Sequence, residues 1–167
     1  MKKQHLAICP GSFDPVTYGH LDIINRTAGL FDKVIVLVSF NALKNGGTFT
    51  IDERVDFIRR CISLPNVEVD RHDGLLVDYA RAAGASAIVK GLRAVSDYED
   101  EFQQALINKQ LAPEVDTIFM ATNSEYMYLS SSAVRQVCFF GGDISAFVPP
   151  QIEADIIAKI KHQKGER

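Results

Sequence analysis

The stretch Pro10-Gly11-Ser12-Phe13-Asp14-Pro15-Val16-Thr17-Tyr18-Gly19-His20 holds the side chains of this chain best suited to receiving an anion. Gly19 has no side chain to hold a ligand away from the backbone, and His20 supplies a directed donor that can carry positive charge. The stretch follows the apolar run Leu6-Ala7-Ile8-Cys9 and precedes Leu21, Ile24 and Ala28 on one helical face. A strand therefore delivers a turn-rich loop that opens into a helix, with Gly19 and His20 in its first turn. First-turn N–H groups lack intrahelical partners, so backbone donors and an imidazole converge where a phosphate can sit. Gly- and Pro-rich turns of this kind occur throughout α/β proteins. The closing Thr17-x-Gly19-His20 sets this one apart.

Other chemistry-bearing residues follow other apolar runs. Lys44 is the only cation in the glycine-rich segment Asn41 to Phe49, where it reads as a solvated turn lysine or a phosphate contact. Lys90 ends the run Ala87-Ile88-Val89, and a charge there needs an anionic partner, because isolated burial is costly. That partner is a ligand phosphate or an internal carboxylate from Asp97, Glu99 or Glu101. Gly91 permits close backbone approach, and Arg93 offers a planar fork matched to phosphate oxygens. Ser130, Ser131 and Ser132 open an amphipathic helix. An N-cap explains one serine, while three hydroxyls beside free N–H groups can also wrap a triphosphate.

The elements that position these residues alternate along the chain. Strands are predicted at Leu6–Cys9, Val34–Phe40, Val67–Asp70, Ala87–Lys90 and Thr117–Ala121, several of them continuous apolar runs suited to parallel strands covered on both faces. Thr50-Ile51-Asp52-Glu53 is a capping-box signature ahead of Val55, Ile58 and Ile62. Further helices fit Leu75–Ala83, stopped by Gly84; Tyr98 through Leu106, ended by Pro113; and the Ile152, Ile156, Ile160 face after Pro149-Pro150. This pattern predicts one doubly wound parallel α/β sheet across residues 1–167, with helices on both faces. In such sheets, ligands bind beyond the carboxyl ends of the strands, where the residues above all fall.

Composition narrows the function. With 167 residues, 47% of them hydrophobic, the chain can bury a full core, and a net charge of −3 argues against a general nucleic-acid or membrane-surface binder. No apolar run approaches a membrane span, and Cys9-Pro10-Gly11 interrupts the basic start before a signal-type segment can form, so a cytoplasmic location is expected. Cys9, Cys61 and Cys138 are odd in number and far apart, which disfavours a disulfide framework or a zinc site. No G-x-G-x-x-G or Walker-type Gly-Lys-Ser/Thr is present in the first loop, and no Ser-His-Asp or Cys-His arrangement stands out.

Thr17-Tyr18-Gly19-His20 resembles the T/H-x-G-H signature of the nucleotidyltransferase superfamily, and Leu129 to Arg135 resembles its I-S-S-x-x-x-R/K element, with Leu129 replacing isoleucine. Together with Lys90-Gly91-Leu92-Arg93-Ala94-Val95-Ser96-Asp97-Tyr98-Glu99 and Asp143-Ile144-Ser145-Ala146-Phe147-Val148-Pro149-Pro150, they make the whole chain similar to bacterial phosphopantetheine adenylyltransferase. The resemblance implies a Rossmann-like fold, a cytoplasmic homohexamer, and conversion of ATP and 4′-phosphopantetheine to dephospho-coenzyme A and pyrophosphate. It implies Mg²⁺, held mainly by ATP phosphates since no carboxylate cluster marks a metal site, and it suggests feedback binding of coenzyme A. Carried onto matching positions, it implies that Ser12 and Phe13 contact ATP, with Ser12 also near the acceptor phosphate. His20 stabilises the transition state at the α-phosphate and belongs to the ATP site. Lys44 and Lys90 hold the phosphopantetheine phosphate, and Leu76 lines the pantetheine arm. Gly91, Leu92, Arg93 and Glu101 join Tyr126, Met127, Tyr128, Leu129, Ser130, Ser131 and Ser132 around ATP. Two positions depart from the pattern: Lys90 stands where the family usually has arginine, keeping charge but losing the bidentate fork, and Asn41-Ala42-Leu43-Lys44 lacks the usual proline.

Overall fold

Residues 5–39, 47–93 and 95–165 are described in the computed structural model of the chain. Its first half runs β1 (Leu6–Gly11), α1 (Tyr18–Ala28), β2 (Lys33–Ser39), α2 (Ile51–Cys61), β3 (Val67–His72) and α3 (Leu76–Ala83). The second half runs β4 (Ala87–Leu92), α4 (Val95–Leu111), β5 (Asp116–Ala121), a 3-10 turn at Ser124–Tyr126, α5 (Ser131–Phe139) and α6 (Pro150–Gly165). The strands form one parallel sheet in the order β3-β2-β1-β4-β5. From β1 the chain builds outward through β2 and β3, then returns to place β4 on the other side of β1. The carboxyl ends of β1 and β4 therefore flank a topological switch point, the place where open α/β sheets hold their ligands.

Alternation along the strands assigns the two faces. Ala7, Cys9, Val34, Val36, Val38 and Val89 pack in one cluster with Leu21, Ile24, Ile58, Val134, Ile152 and Ile156, so α1, α2, α5 and α6 cover that face. Leu6, Ile8, Ile35, Leu37 and Ile88 point the other way, against Val77 and Ala80 of α3 and against Ala112 and Val115. The central strands β1 and β2 are buried along most of their length, as their continuous apolar runs require. Edge strand β3 instead exposes Glu68, Asp70 and Arg71, charges that discourage pairing with a foreign strand. Among the described residues, no helix is long and apolar enough to cross a membrane.

The ends of the elements follow local chemistry. Thr50 Oγ1 accepts the Glu53 N–H at 3.2 Å, and the Thr50 N–H donates to Glu53 Oε2 at 2.7 Å, completing the capping box of α2. Gly84 closes α3 in the left-handed region at φ 69°, where glycine carries no Cβ penalty. Leu75 is extended and caps α3 without joining it, and α4 begins at Val95, upstream of Tyr98. The largest difference from expectation is that β1, β3 and β4 each run two residues past their predicted ends at Cys9, Asp70 and Lys90. The ladder continues through Lys90↔Phe119, Gly91↔Met120 and Leu92↔Ala121, because pairing uses backbone groups and is indifferent to side-chain polarity. Phe40, the expected end of β2, lies outside the described residues.

Candidate active site

The helix cap at Thr17 sets the geometry of the first loop. The Thr17 main-chain N–H donates to His20 Nδ1 at 3.0 Å, so the imidazole takes the place that a glutamate side chain fills in an ordinary capping box. An Nδ1 that accepts this bond leaves the ring proton on Nε2, which becomes a fixed donor. Phe13 packs edge-on against the same imidazole, with ring centroids 5.1 Å apart and planes at 66°. Burial, reinforced by the positive charge of Arg93, pushes the His20 pKa down to about 4. The ring is thus a neutral N–H donor near pH 7, and the imidazolium that the sequence allowed is disfavoured by the fold. The Tyr18 N–H is also engaged, donating to Phe147 O at 3.0 Å.

The Phe13 ring lies in the core, where Gly11 makes room for it: a Cβ on Gly11 would fall 2.9 Å from the ring. Gly91 is small for a similar reason, since a Cβ there would meet Ile23 of α1 at 2.8 Å. Close approach at Gly91 is therefore helix-to-strand packing. Beside it, Lys90 Nζ forms an ion pair with Glu101 of α4, which supplies the internal carboxylate that the sequence offered as one alternative. Arg93 donates to the Leu129 carbonyl at 3.0 Å, tying the end of β4 to the entry of α5.

All three serines at that entry have partners within the chain. Ser130 Oγ accepts the Ala133 N–H at 3.1 Å as the N-cap, Ser131 Oγ donates to Pro15 O at 2.7 Å, and Ser132 Oγ accepts from Arg135 at 3.2 Å. Ser131 thus holds α5 against the β1–α1 loop, while Ser130 and Ser132 bond within the first turn of α5. Upstream, Tyr126 stacks on Tyr18 with centroids 6.4 Å apart, while the Tyr128 side chain projects into solvent at 92% exposure.

These elements enclose a cavity of about 420 Å³ at the switch point. Ser12, Phe13, His20 and Leu76 line it, together with Lys90, Gly91, Arg93, Glu101 and Leu129. Leu92, Tyr126, Met127, Tyr128 and the three serines lie outside its lining, and Lys44 falls outside the described residues. The structure adds Thr17, Ser39, Gln104 and Thr122 to the wall. Sequence reasoning passed over Ser39 and Thr122 because each is a small polar residue at a strand end, carrying no signal without the sheet order. It also passed over the buried pair Asp14 and Arg54, whose contact spans distant segments. Cys9 lines the cavity too, but burial pushes its thiol up to about 11, so it is not a ready nucleophile. Among the described residues, no group of three or more His, Cys, Asp or Glu side chains is placed to hold a metal.

A family model described as cytidylyltransferase-like matches residues 8–137, which span every lining residue of the cavity. A phosphopantetheine adenylyltransferase of Caldanaerobacter subterraneus subsp. tengcongensis is 55% identical over 157 residues, covering 93% of this chain and 98% of the relative. The chain belongs to the phosphopantetheine adenylyltransferase family. The phosphopantetheine adenylyltransferase of Heliobacterium modesticaldum agrees, being 54% identical over 155 residues and 92% of each chain. The phosphopantetheine adenylyltransferase fold extends to more distant proteins. A bifunctional NMN adenylyltransferase/ADP ribose pyrophosphatase from Francisella tularensis superposes with a TM-score of 0.72 at 17% identity, over 98% of this chain and 52% of that one.

Proposed function

We infer that this chain transfers the adenylyl group of ATP to the phosphate of 4′-phosphopantetheine, giving 3′-dephospho-coenzyme A and pyrophosphate. The observation that carries this reading is the convergence of His20, Lys90 and Arg93 on one cavity at the switch point, in a member of this family. The acceptor phosphate is already anionic near neutral pH and needs no protein base. One of its oxygens bonds to the α-phosphorus as the bond from that phosphorus to the departing pyrophosphate breaks. What must be overcome is anion–anion repulsion and misalignment, which preorganised donors and positive charge address. His20 Nε2–H donates to the charge growing on the α-phosphate, and one such donor is worth roughly 10²–10³ in rate.

Lys90 receives the acceptor phosphate, which takes the place of the Glu101 carboxylate; Lys44 joins it on the strength of the family resemblance. Leu76 lies along the pantetheine arm. Ser12, the main chain at Phe13, Gly91 to Arg93, Glu101 and the segment Tyr126 to Ser132 border ATP. Mg²⁺ is proposed to arrive on the ATP phosphates, as the family resemblance implies. Coenzyme A contains the same pantetheine arm and adenosine, so it is expected to compete for this cavity. A cytoplasmic homohexamer is proposed as the working form.

Incubating the purified protein with ATP or CTP and a panel of phosphorylated acceptors, and measuring pyrophosphate, tests the assignment. Release with 4′-phosphopantetheine and ATP alone is expected; release only with a pyridine mononucleotide or another acceptor would overturn it. His20→Ala is expected to lower kcat far more than it weakens ATP binding, and Lys90→Ala to raise mainly the KM of the phosphorylated acceptor.

A further inference from the structure

Asp14 and Arg54 are each only 7% exposed, yet neither lines the cavity. The Asp14 carboxylate accepts the N–H groups of Thr48 and Phe49 at 3.0 and 2.9 Å, and lies 3.4 Å from Arg54 Nε. Arg54 in turn donates to Phe49 O at 2.8 Å and to Ser12 O at 3.2 Å. Arg135 closes the arrangement from α5, donating to the Asp14 carbonyl and lying 3.4 Å from its carboxylate. Residues 12 and 14 are thus gripped on either side of Phe13. Phe13 has φ 45°, a left-handed conformation that a side-chain-bearing residue keeps only when its surroundings hold it. Its ring is the one packed against His20.

We propose that Arg54, working with Asp14 and Arg135, is a positioning residue for His20, gripping both neighbours of Phe13 so that the Phe13 ring fixes the imidazole. The proposal rests on the reading of His20 as the group that meets the α-phosphate. Gly47 belongs to the same device, because a Cβ there would fall 1.8 Å from a terminal nitrogen of Arg54. Arg54→Lys keeps the charge but cannot reach Ser12 O, Phe49 O and Asp14 together. Gly47→Ala keeps every charged group and displaces the guanidinium.

A kinetic double-mutant cycle with His20→Ala separates positioning from general stabilisation. In the otherwise native enzyme, Arg54→Lys is expected to lower kcat by about 10- to 100-fold, the scale of a misplaced reacting group. In the His20→Ala background, the same change is expected to cost less than about 2-fold, because the group it positions is gone. Imidazole ¹⁵N NMR gives a second reading: His20 is a single Nε2–H tautomer in the native protein and a mixture in the variant. Equal losses in both backgrounds, or an unchanged tautomer with reduced kcat, overturn the proposal. Should Arg54→Lys fail to fold by circular dichroism, Gly47→Ala carries the same cycle with the same expectations. A His20→Ala enzyme with native kcat instead removes the underlying reading of His20, which is a distinguishable failure.

Discussion

Desolvation and the nearby Arg93 both act against a charge on His20, which is why its pKa falls from 6.5 to about 4. The unfolded chain therefore binds a proton that the folded chain refuses between those values. The contribution is complete above pH 6.5 and is lost as pH falls through 4, amounting to on the order of 3 kcal/mol. Urea unfolding of the native protein and of His20→Ala across this window is the check. The native stability is expected to fall with acid more steeply than that of the variant, and parallel curves would mean that His20 titrates normally. At the same scale, the proposed acceptor phosphate competes with Glu101 for Lys90. Lys90→Arg restores a planar fork, and the acceptor KM is expected to fall about fivefold, roughly 1 kcal/mol, with little change in the KM for ATP.

At the level of elements, helix ends do more here than terminate helices. Ser130 caps α5, and the carbonyl immediately before it, on Leu129, anchors Arg93. Ser130→Ala is expected to cost about 1 kcal/mol, lowering Tm by roughly 2–4 °C. It should also raise the KM for ATP by loosening the Arg93 anchor. Gly84→Ala is the matched control, since its φ of 69° penalises a Cβ at the end of α3 without touching the cavity. A similar loss of Tm with native kinetic constants is expected for that variant. If both substitutions move KM alike, the link from cap to site is wrong.

For the molecule as a whole, the telling feature is what a single chain leaves uncovered. Tyr98, Phe102 and Leu106 are spaced along one stripe of α4 and are 43%, 42% and 57% exposed, and the Tyr98 ring lies 6.2 Å from that of Phe119 on edge strand β5. An apolar stripe next to an open strand edge is a surface that further copies of the chain can cover. This supports the proposed assembly. Phe102→Glu puts a charge into that stripe, and sedimentation is expected to shift from the native oligomer to smaller species. A native protein that sediments as a monomer would remove the proposal of a hexamer.

The strand–helix alternation, the capping box at Thr50, the stop at Gly84 and a serine cap opening α5 were legible in the sequence, because each depends on neighbours a few residues apart; the structure names Ser130 as that cap. The Thr17-x-Gly19-His20 motif belongs with them: its spacing is that of a helix cap and its third residue. Other matters depended on contacts between distant segments, which only the closed fold could settle. Those contacts paired Lys90 with Glu101, engaged the Ser131 hydroxyl with Pro15, and buried Asp14 against Arg54. They also made His20 neutral, because desolvation is created by packing and has no local signature in the chain.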